Sequence, residues 1–348
     1  MRLIVVVYAL GLLASGLWAG VTLSTSLLLV AQSLAIFGLV SPVPRRALFA
    51  RRAIGTLAAL CFLLTIILRA EHEAIPPRQG ELLSVGGTHH LTFGDIIPER
   101  DILATATRFL PLVGGLSLSE ATDLLPAIST LYRSMNTGRG TYTSPLLLSV
   151  LGAPLLFDSK VLSFEAPNSE RSQRALVFLH GTGGNIGLLC WIISKAGEVI
   201  NANTYCPSLG PLGMWGSDRG REILRDLITT LNARGKTEIY LVGVSAGAVG
   251  AAQLASEFAL HLRGIALVSG SHPAIRETNL PVLFLYGTRD ERFPPKLLRW
   301  IANQSAQRNP NTTLAELEGD HLLVIKQSDS LLSELSRWLS KVASELER

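Results

Sequence analysis

The sequence predicts an α/β chain: a mostly parallel central sheet covered by helices on both faces, preceded by transmembrane helices and a helical connector. Three observations carry the prediction. Residues 1–70 hold two long uncharged apolar stretches, of 38 and 16 residues (3–40 and 53–68). From residue 161 onward, short apolar runs alternate with segments of helical length, the pattern of a sheet with crossover helices. At one junction of such a run with a helix stands Gly243-Val244-Ser245-Ala246-Gly247. The predicted division is 1–70 as a membrane anchor, 71–160 as a helical connector or flap, and 161–348 as the α/β domain.

The anchor comes first in the chain. A bilayer core needs about 20 apolar residues per helix, so the stretch 3–40 suits two short spans rather than one. Gly16-Leu17-Trp18-Ala19-Gly20 offers a tight turn with an interfacial Trp. Three spans follow, near 2–18, 21–40 and 53–69. Two other readings of this region are a cleaved signal peptide, which Arg2 and Ala14-Ser15-Gly16 fit, and a buried helical hairpin. Orientation follows from Arg45, Arg46, Arg51 and Arg52 in the loop before the third span, since short basic loops stay cytoplasmic. The chain from residue 71 is therefore expected outside the cytoplasm.

Charge excludes one class of function. Residues 1–70 contain six Arg, no Lys and no acidic residue, so of 31 basic and 27 acidic residues in all, 25 and 27 remain for 71–348. The basic balance belongs to the anchor and gives no nucleic-acid surface. Of the three cysteines, Cys61 lies in the third span. Cys190 and Cys206 lie in the exported part, where an oxidising compartment permits a disulfide; two buried thiols is the other reading.

In the connector, Ser117 and Glu120 have capping-box spacing ahead of a helix over 121–135, and Asn136-Thr137-Gly138-Arg139-Gly140 stops it. The apolar run 146–157, broken by Gly152 and Pro154, is too short to span and reads as a flap over a cleft or on a bilayer. Beyond it, 175–179, 239–244, 264–268 and 281–286 read as strands buried on both sides. Helices are predicted over 185–200, 217–234, 246–259 and 330–346. The last places Leu331, Leu335, Trp338, Leu339, Val342 and Leu346 on one face, which is expected to pack on the sheet.

The motif around Ser245 carries chemistry. A serine on so sharp a strand-to-helix turn needs small neighbours, because side chains at 243 and 247 would collide with the adjacent strand and helix. The turn exposes the hydroxyl and aims a helix N-terminus at it.

With Ala175-Leu176-Val177-Phe178-Leu179-His180-Gly181-Thr182-Gly183-Gly184 upstream, and Leu283-Phe284-Leu285-Tyr286-Gly287-Thr288-Arg289-Asp290 and Gly319-Asp320-His321 downstream, the sequence resembles the α/β-hydrolase superfamily over about residues 161–346. The order Ser, Asp, His matches the family order. The resemblance implies Ser245 as nucleophile, His321 as base and then acid, and Asp290 as the group that orients the imidazole. It also implies an oxyanion hole from the backbone N–H groups of Ala246 and Thr182, with Gly183 as the alternative to Thr182. Gly243 and Gly247 form the elbow.

Rivals for these roles are present. Asp320 adjoins His321 but neighbours in a loop usually point apart; Glu291 and Asp218 are weaker candidates. His180 resembles the family's structural histidine. His89-His90, with Asp95 and Glu99 nearby, completes no recognisable metal-ligand spacing, so no metal and no other cofactor is expected. Trp215-Gly216-Ser217-Asp218-Arg219-Gly220 is expected to cap the following helix, with cleft lining as the alternative.

The expected function is a membrane-anchored serine hydrolase, esterase- or lipase-like, that cleaves a carboxylic ester or related acyl bond through an acyl-serine. The expected partners are an acyl substrate, small-molecule or lipid, and a membrane. The competing expectations are a peptidase or thioesterase of the same fold and a catalytically inactive receptor or scaffold.

Overall fold

In the computed structural model, the described residues are 23–40, 48–73, 81–84, 98–136, 144–146, 160–167, 169 and 172–346. The chain divides into two units, one of 1–77 and 94–141, the other of 78–93 and 142–348.

The first unit contains helices α1 (Leu23–Val40), α2 (Leu48–Glu73), α3 (Glu99–Phe109) and α4 (Leu118–Asn136). The expected span 2–18 and the first two residues of 21–40 lie outside the described residues; the rest of 21–40 forms α1, and 53–69 falls within α2. Among the described residues no helix is long and apolar enough to cross a membrane. Among the described side chains of α1 and α2, Thr25, Leu28 and Ala31 on one helix and Ala58 and Thr65 on the other are buried. The capping box at α4 forms: Ser117 N–H donates to Glu120 Oε2 at 2.7 Å and Glu120 N–H to Ser117 Oγ at 3.1 Å. Glu99, one of the weighed metal candidates, instead accepts the Tyr132 hydroxyl at 2.6 Å. His89, His90 and Asp95 lie outside the described residues, as does the flap beyond Leu146.

The second unit is built on an eight-stranded sheet: β1 (Glu81–Ser84), β2 (Lys160–Phe164), β3 (Arg174–Leu179), β4 (Asn203–Pro207), β5 (Glu238–Val244), β6 (Leu262–Val268), β7 (Val282–Gly287) and β8 (Thr312–Leu317), in the order β1-β2-β4-β3-β5-β6-β7-β8. Pairing is parallel from β4 to β8 and antiparallel for β1–β2 and β2–β4. The connector, expected to be helical, thus also supplies the edge strand β1. Strands β3, β5, β6 and β7 read as continuous Val, Ile, Leu and Phe because both faces are covered, and nearly all their residues are buried.

The covering helices are α5 (Gly187–Val199), α6 (Asp218–Ala233), α7 (Ala246–Leu254), α8 (Pro295–Ala306), α9 (Leu323–Lys326) and α10 (Ser328–Leu346). Helix α7 is shorter than the expected 246–259: a turn and a 3-10 segment, Ala259–His261, lead into β6. The apolar face of α10 packs inward, with Leu331, Leu335, Trp338, Leu339 and Val342 all buried, against α5 and the sheet. Cys190 of α5 and Cys206 of β4 form a disulfide with a Cα separation of 6.1 Å.

Register aligns the strand ends that matter. Leu179 stands beside Gly243, Gly243 beside Leu267, Val268 beside Leu285, and Gly287 beside Leu317. Four loops therefore open at one carboxyl edge of the sheet, where ligand sites form in open α/β folds.

Candidate active site

The turn between β5 and α7 holds Ser245 at φ 54° and ψ −118°, a backbone region that costs a non-glycine residue on the order of 1–3 kcal/mol. The surroundings impose it. Ser245 N–H donates to Val268 O at 2.8 Å on β6. A Cβ on Gly243 would collide with the Gly247 carbonyl, and one on Gly247 with the Leu179 carbonyl of β3. Only glycine lets the turn close against its neighbouring strand.

The loop after β8 brings His321 to this hydroxyl, with Nε2 2.9 Å from Ser245 Oγ. On the other side of the ring, Nδ1 lies 2.9 Å from Asp290 Oδ2 and 3.1 Å from Oδ1. Asp290 follows β7 and is oriented in turn by its own loop, since Arg292 N–H and Phe293 N–H both donate to Oδ1 at 2.9 Å. Asp290 and His321 are 2% and 8% exposed, so their mutual attraction is little screened by water. The Phe293 ring stacks on the imidazole, with centroids 5.9 Å apart.

Residues 174–341 match a family model described as the alpha/beta hydrolase fold. These residues have the α/β-hydrolase fold. No curated protein matches the chain. Among solved structures, an esterase of Pyrococcus furiosus is 13% identical over 53% of this chain and 88% of its own, with a TM-score of 0.44. A lidless α/β serine hydrolase of Xanthomonas campestris is 16% identical over 53% of this chain and 89% of its own, with a TM-score of 0.43.

Within the second unit, two of the rivals for the acid position are engaged elsewhere and the third is exposed. Asp320 accepts Leu322 N–H at 2.8 Å and the Lys326 ammonium at 2.7 Å. Partial burial alone would raise its pKa, but those two donors outweigh it and hold the carboxyl below its ordinary value. Glu291 is exposed. Asp218 pairs with Arg221 in the first turn of α6.

The segment after β3, expected to supply the oxyanion hole, is equally confined. Gly181 runs so close to Ser245 that a Cβ there would stand 3.1 Å from Ser245 Cβ. Gly183 N–H donates to Pro211 O at 2.7 Å, which removes Gly183 as the alternative donor. Thr182 N–H and Ala246 N–H make no hydrogen bond among the described residues. His180 is not directed at Ser245: Nδ1–H donates to Gly181 O at 2.8 Å and Nε2 accepts Leu209 N–H at 3.1 Å. Complete burial pushes its pKa down to about 4, so the ring is neutral at pH 7, and the two backbone bonds only partly oppose that shift.

Ser217 caps α6 through Gly220 N–H at 3.2 Å, the expected capping role. Trp215 has a different place, buried beneath the oxyanion segment with its indole N–H on His180 O at 2.9 Å. Three contributors carried too little signal to be singled out from sequence. Pro211 acts through its carbonyl, which every residue has. Phe293 is one apolar residue in a polar loop. Gly270 follows β6, where a Cβ would stand 2.6 Å from Ser245 O; its place just after an apolar run was the available clue.

Proposed function

We propose that this chain is a serine hydrolase of carboxylic esters, acting through an acyl-serine at Ser245. The observation that carries the reading is the two-sided engagement of His321, with Nε2 on Ser245 Oγ and Nδ1 on both oxygens of Asp290. A serine hydroxyl is a weak nucleophile until a base takes its proton. His321 Nε2 accepts that proton as Oγ attacks the carbonyl carbon, and Asp290 stabilises the resulting imidazolium. The oxygen that gains charge in the tetrahedral intermediate meets the N–H groups of Thr182 and Ala246. As the intermediate collapses, the carbon–oxygen bond breaks and the leaving alkoxide takes the proton from His321. Water, deprotonated by the same ring, then releases the acid and restores Ser245.

Within this reading residues 1–70 attach the protein to a membrane, with the hydrolase unit outside the cytoplasm and acyl lipids as substrates. Helix α2 supports attachment: Leu57, Leu60, Phe62, Leu63, Leu64 and Ile67 are 44% to 56% exposed, an apolar surface that water does not favour. The Cys190–Cys206 disulfide supports export, because such bonds persist in oxidising compartments.

Labelling with a fluorophosphonate and turnover of p-nitrophenyl esters of increasing acyl length test the proposal together. Labelling that Ser245→Ala abolishes, with ester turnover that also disappears, is the expected result. Absence of both activities in folded wild-type protein overturns it in favour of an inactive scaffold. Faster turnover of thioesters or peptide amides than of any ester reassigns the substrate class.

A further inference from the structure

Two segments must be held at a fixed separation if one oxygen is to bond both Thr182 N–H and Ala246 N–H. Thr182 belongs to the segment after β3, and Ala246 opens α7. Between those two elements lies the side chain of Trp215. Its indole N–H donates to the carbonyl of His180, two residues before Thr182, at 2.9 Å, and its ring meets the His180 ring edge to face with centroids 5.2 Å apart. On the opposite side it abuts α7 so closely that a Cβ on Gly250 would collide with Trp215 Cβ. The same residue therefore touches both the segment that carries Thr182 and the helix that carries Ala246.

The segment that carries Trp215 is itself fastened to the oxyanion segment. Leu209 N–H donates to His180 Nε2, Gly183 N–H to Pro211 O, and Asn185 Nδ2–H to Cys206 O at 2.8 Å and Ser208 Oγ at 2.9 Å. Gly213, at φ 61°, lies flat on this backbone, where a Cβ would stand 3.0 Å from the carbonyls of both His180 and Gly181. Residues 206–215 thus follow the oxyanion segment along its length, and Trp215 is the point where they also reach the nucleophile helix.

We propose that Trp215 is a positioning residue of the oxyanion hole, wedged between the segment of Thr182 and the helix of Ala246 so that it sets the spacing of their N–H groups. The inference rests on the acyl-serine reading of the site. It predicts a defect confined to the transition state. Trp215→Phe keeps an aromatic ring but removes the N–H and part of the wedge. Gly250→Ala adds a methyl group on the helix side and pushes the same contact from the other direction. Displacing one donor by a fraction of an ångström costs rate rather than ground-state binding, roughly 10- to 100-fold in kcat.

The experiment measures kcat and KM for a p-nitrophenyl ester, per active site titrated with a fluorophosphonate, together with inhibition by an aryl trifluoromethyl ketone whose adduct carries an oxyanion. For either variant the expected result is a kcat about 10- to 100-fold lower, KM within about threefold of wild type, and ketone inhibition weakened in parallel with kcat. A merely structural role lowers the number of titratable sites and leaves the rate and inhibition of each site unchanged; that result, in whichever variant folds, overturns the positioning role alone. Wild-type protein that neither labels nor hydrolyses the ester overturns the acyl-serine reading and this inference with it.

Discussion

Asp290 Oδ2 stands 2.9 Å from His321 Nδ1 across 31 residues of sequence, whereas Asp320, the immediate neighbour of His321, holds the Lys326 ammonium. The contrast makes the acid assignment testable. Ser245→Ala and His321→Ala are each expected to remove most of the rate enhancement, up to roughly a million-fold, and the double variant little more, because the groups act as one unit. Asp290→Ala should cost less, since a poorly oriented imidazole still accepts a proton. Asp320→Ala should leave kcat within about tenfold. Kinetics on one ester substrate checks all four. An Asp320 variant without turnover beside an active Asp290 variant reverses the assignment.

The disulfide ties α5, which begins just beyond the oxyanion segment, to the end of β4. Its half-cystines are 16 residues apart, a loop for which cross-linking stabilises by about 3 kcal/mol. Replacing both cysteines with Ala should lower the melting temperature by roughly 10 °C. Mass spectrometry of an unreduced digest from exported protein should recover the two peptides linked. Recovery of both thiols free contradicts the bridge.

Acid should destabilise the hydrolase unit through His180 before the carboxylates are protonated. Its folded pKa of about 4 lies below the ordinary 6.5, so between those values only the unfolded chain binds the proton. The contribution is complete above pH 6.5 and is lost as pH falls toward 4, amounting to about 3 kcal/mol. Urea denaturation across that window should show the slope in wild-type protein and a shallower one in His180→Asn. Equal slopes place the acid sensitivity elsewhere.

The proposed topology rests on Arg45, Arg46, Arg51 and Arg52, the last two of which lie in the first turns of α2. Alkaline phosphatase fused after Arg348 should be active, and extraction at high pH separates helices inserted in the bilayer from helices attached to its surface. Strong signal from a reporter that works only in the cytoplasm reverses the orientation. Release of the chain into the soluble fraction without detergent or alkali rejects attachment.

Sequence alone determined what depends on local rules. The four buried strands read from apolar runs because both faces of a parallel sheet exclude water. The α4 capping box read from Ser117 and Glu120 because a cap is a bond between residues three apart. Ser245 read from its flanking glycines, which answer to a steric demand made within one turn. The chain order of Ser245, Asp290 and His321 then made the site legible through resemblance.

Tertiary structure decided whatever depends on residues that meet only in the folded chain. That Asp290 and not Asp320 meets His321 is a matter of where two loops point. The loss of Gly183 as a donor depends on a carbonyl 28 positions away, and no sequence pattern marks a carbonyl. The edge strand β1 lay in a stretch read as helical connector because a four-residue edge strand carries too few side chains to show a period. Trp215 was expected to serve the helix that follows it, since capping is local. Its contacts with His180 and Gly250 come from the packing of β3 against α7, which sequence spacing does not encode.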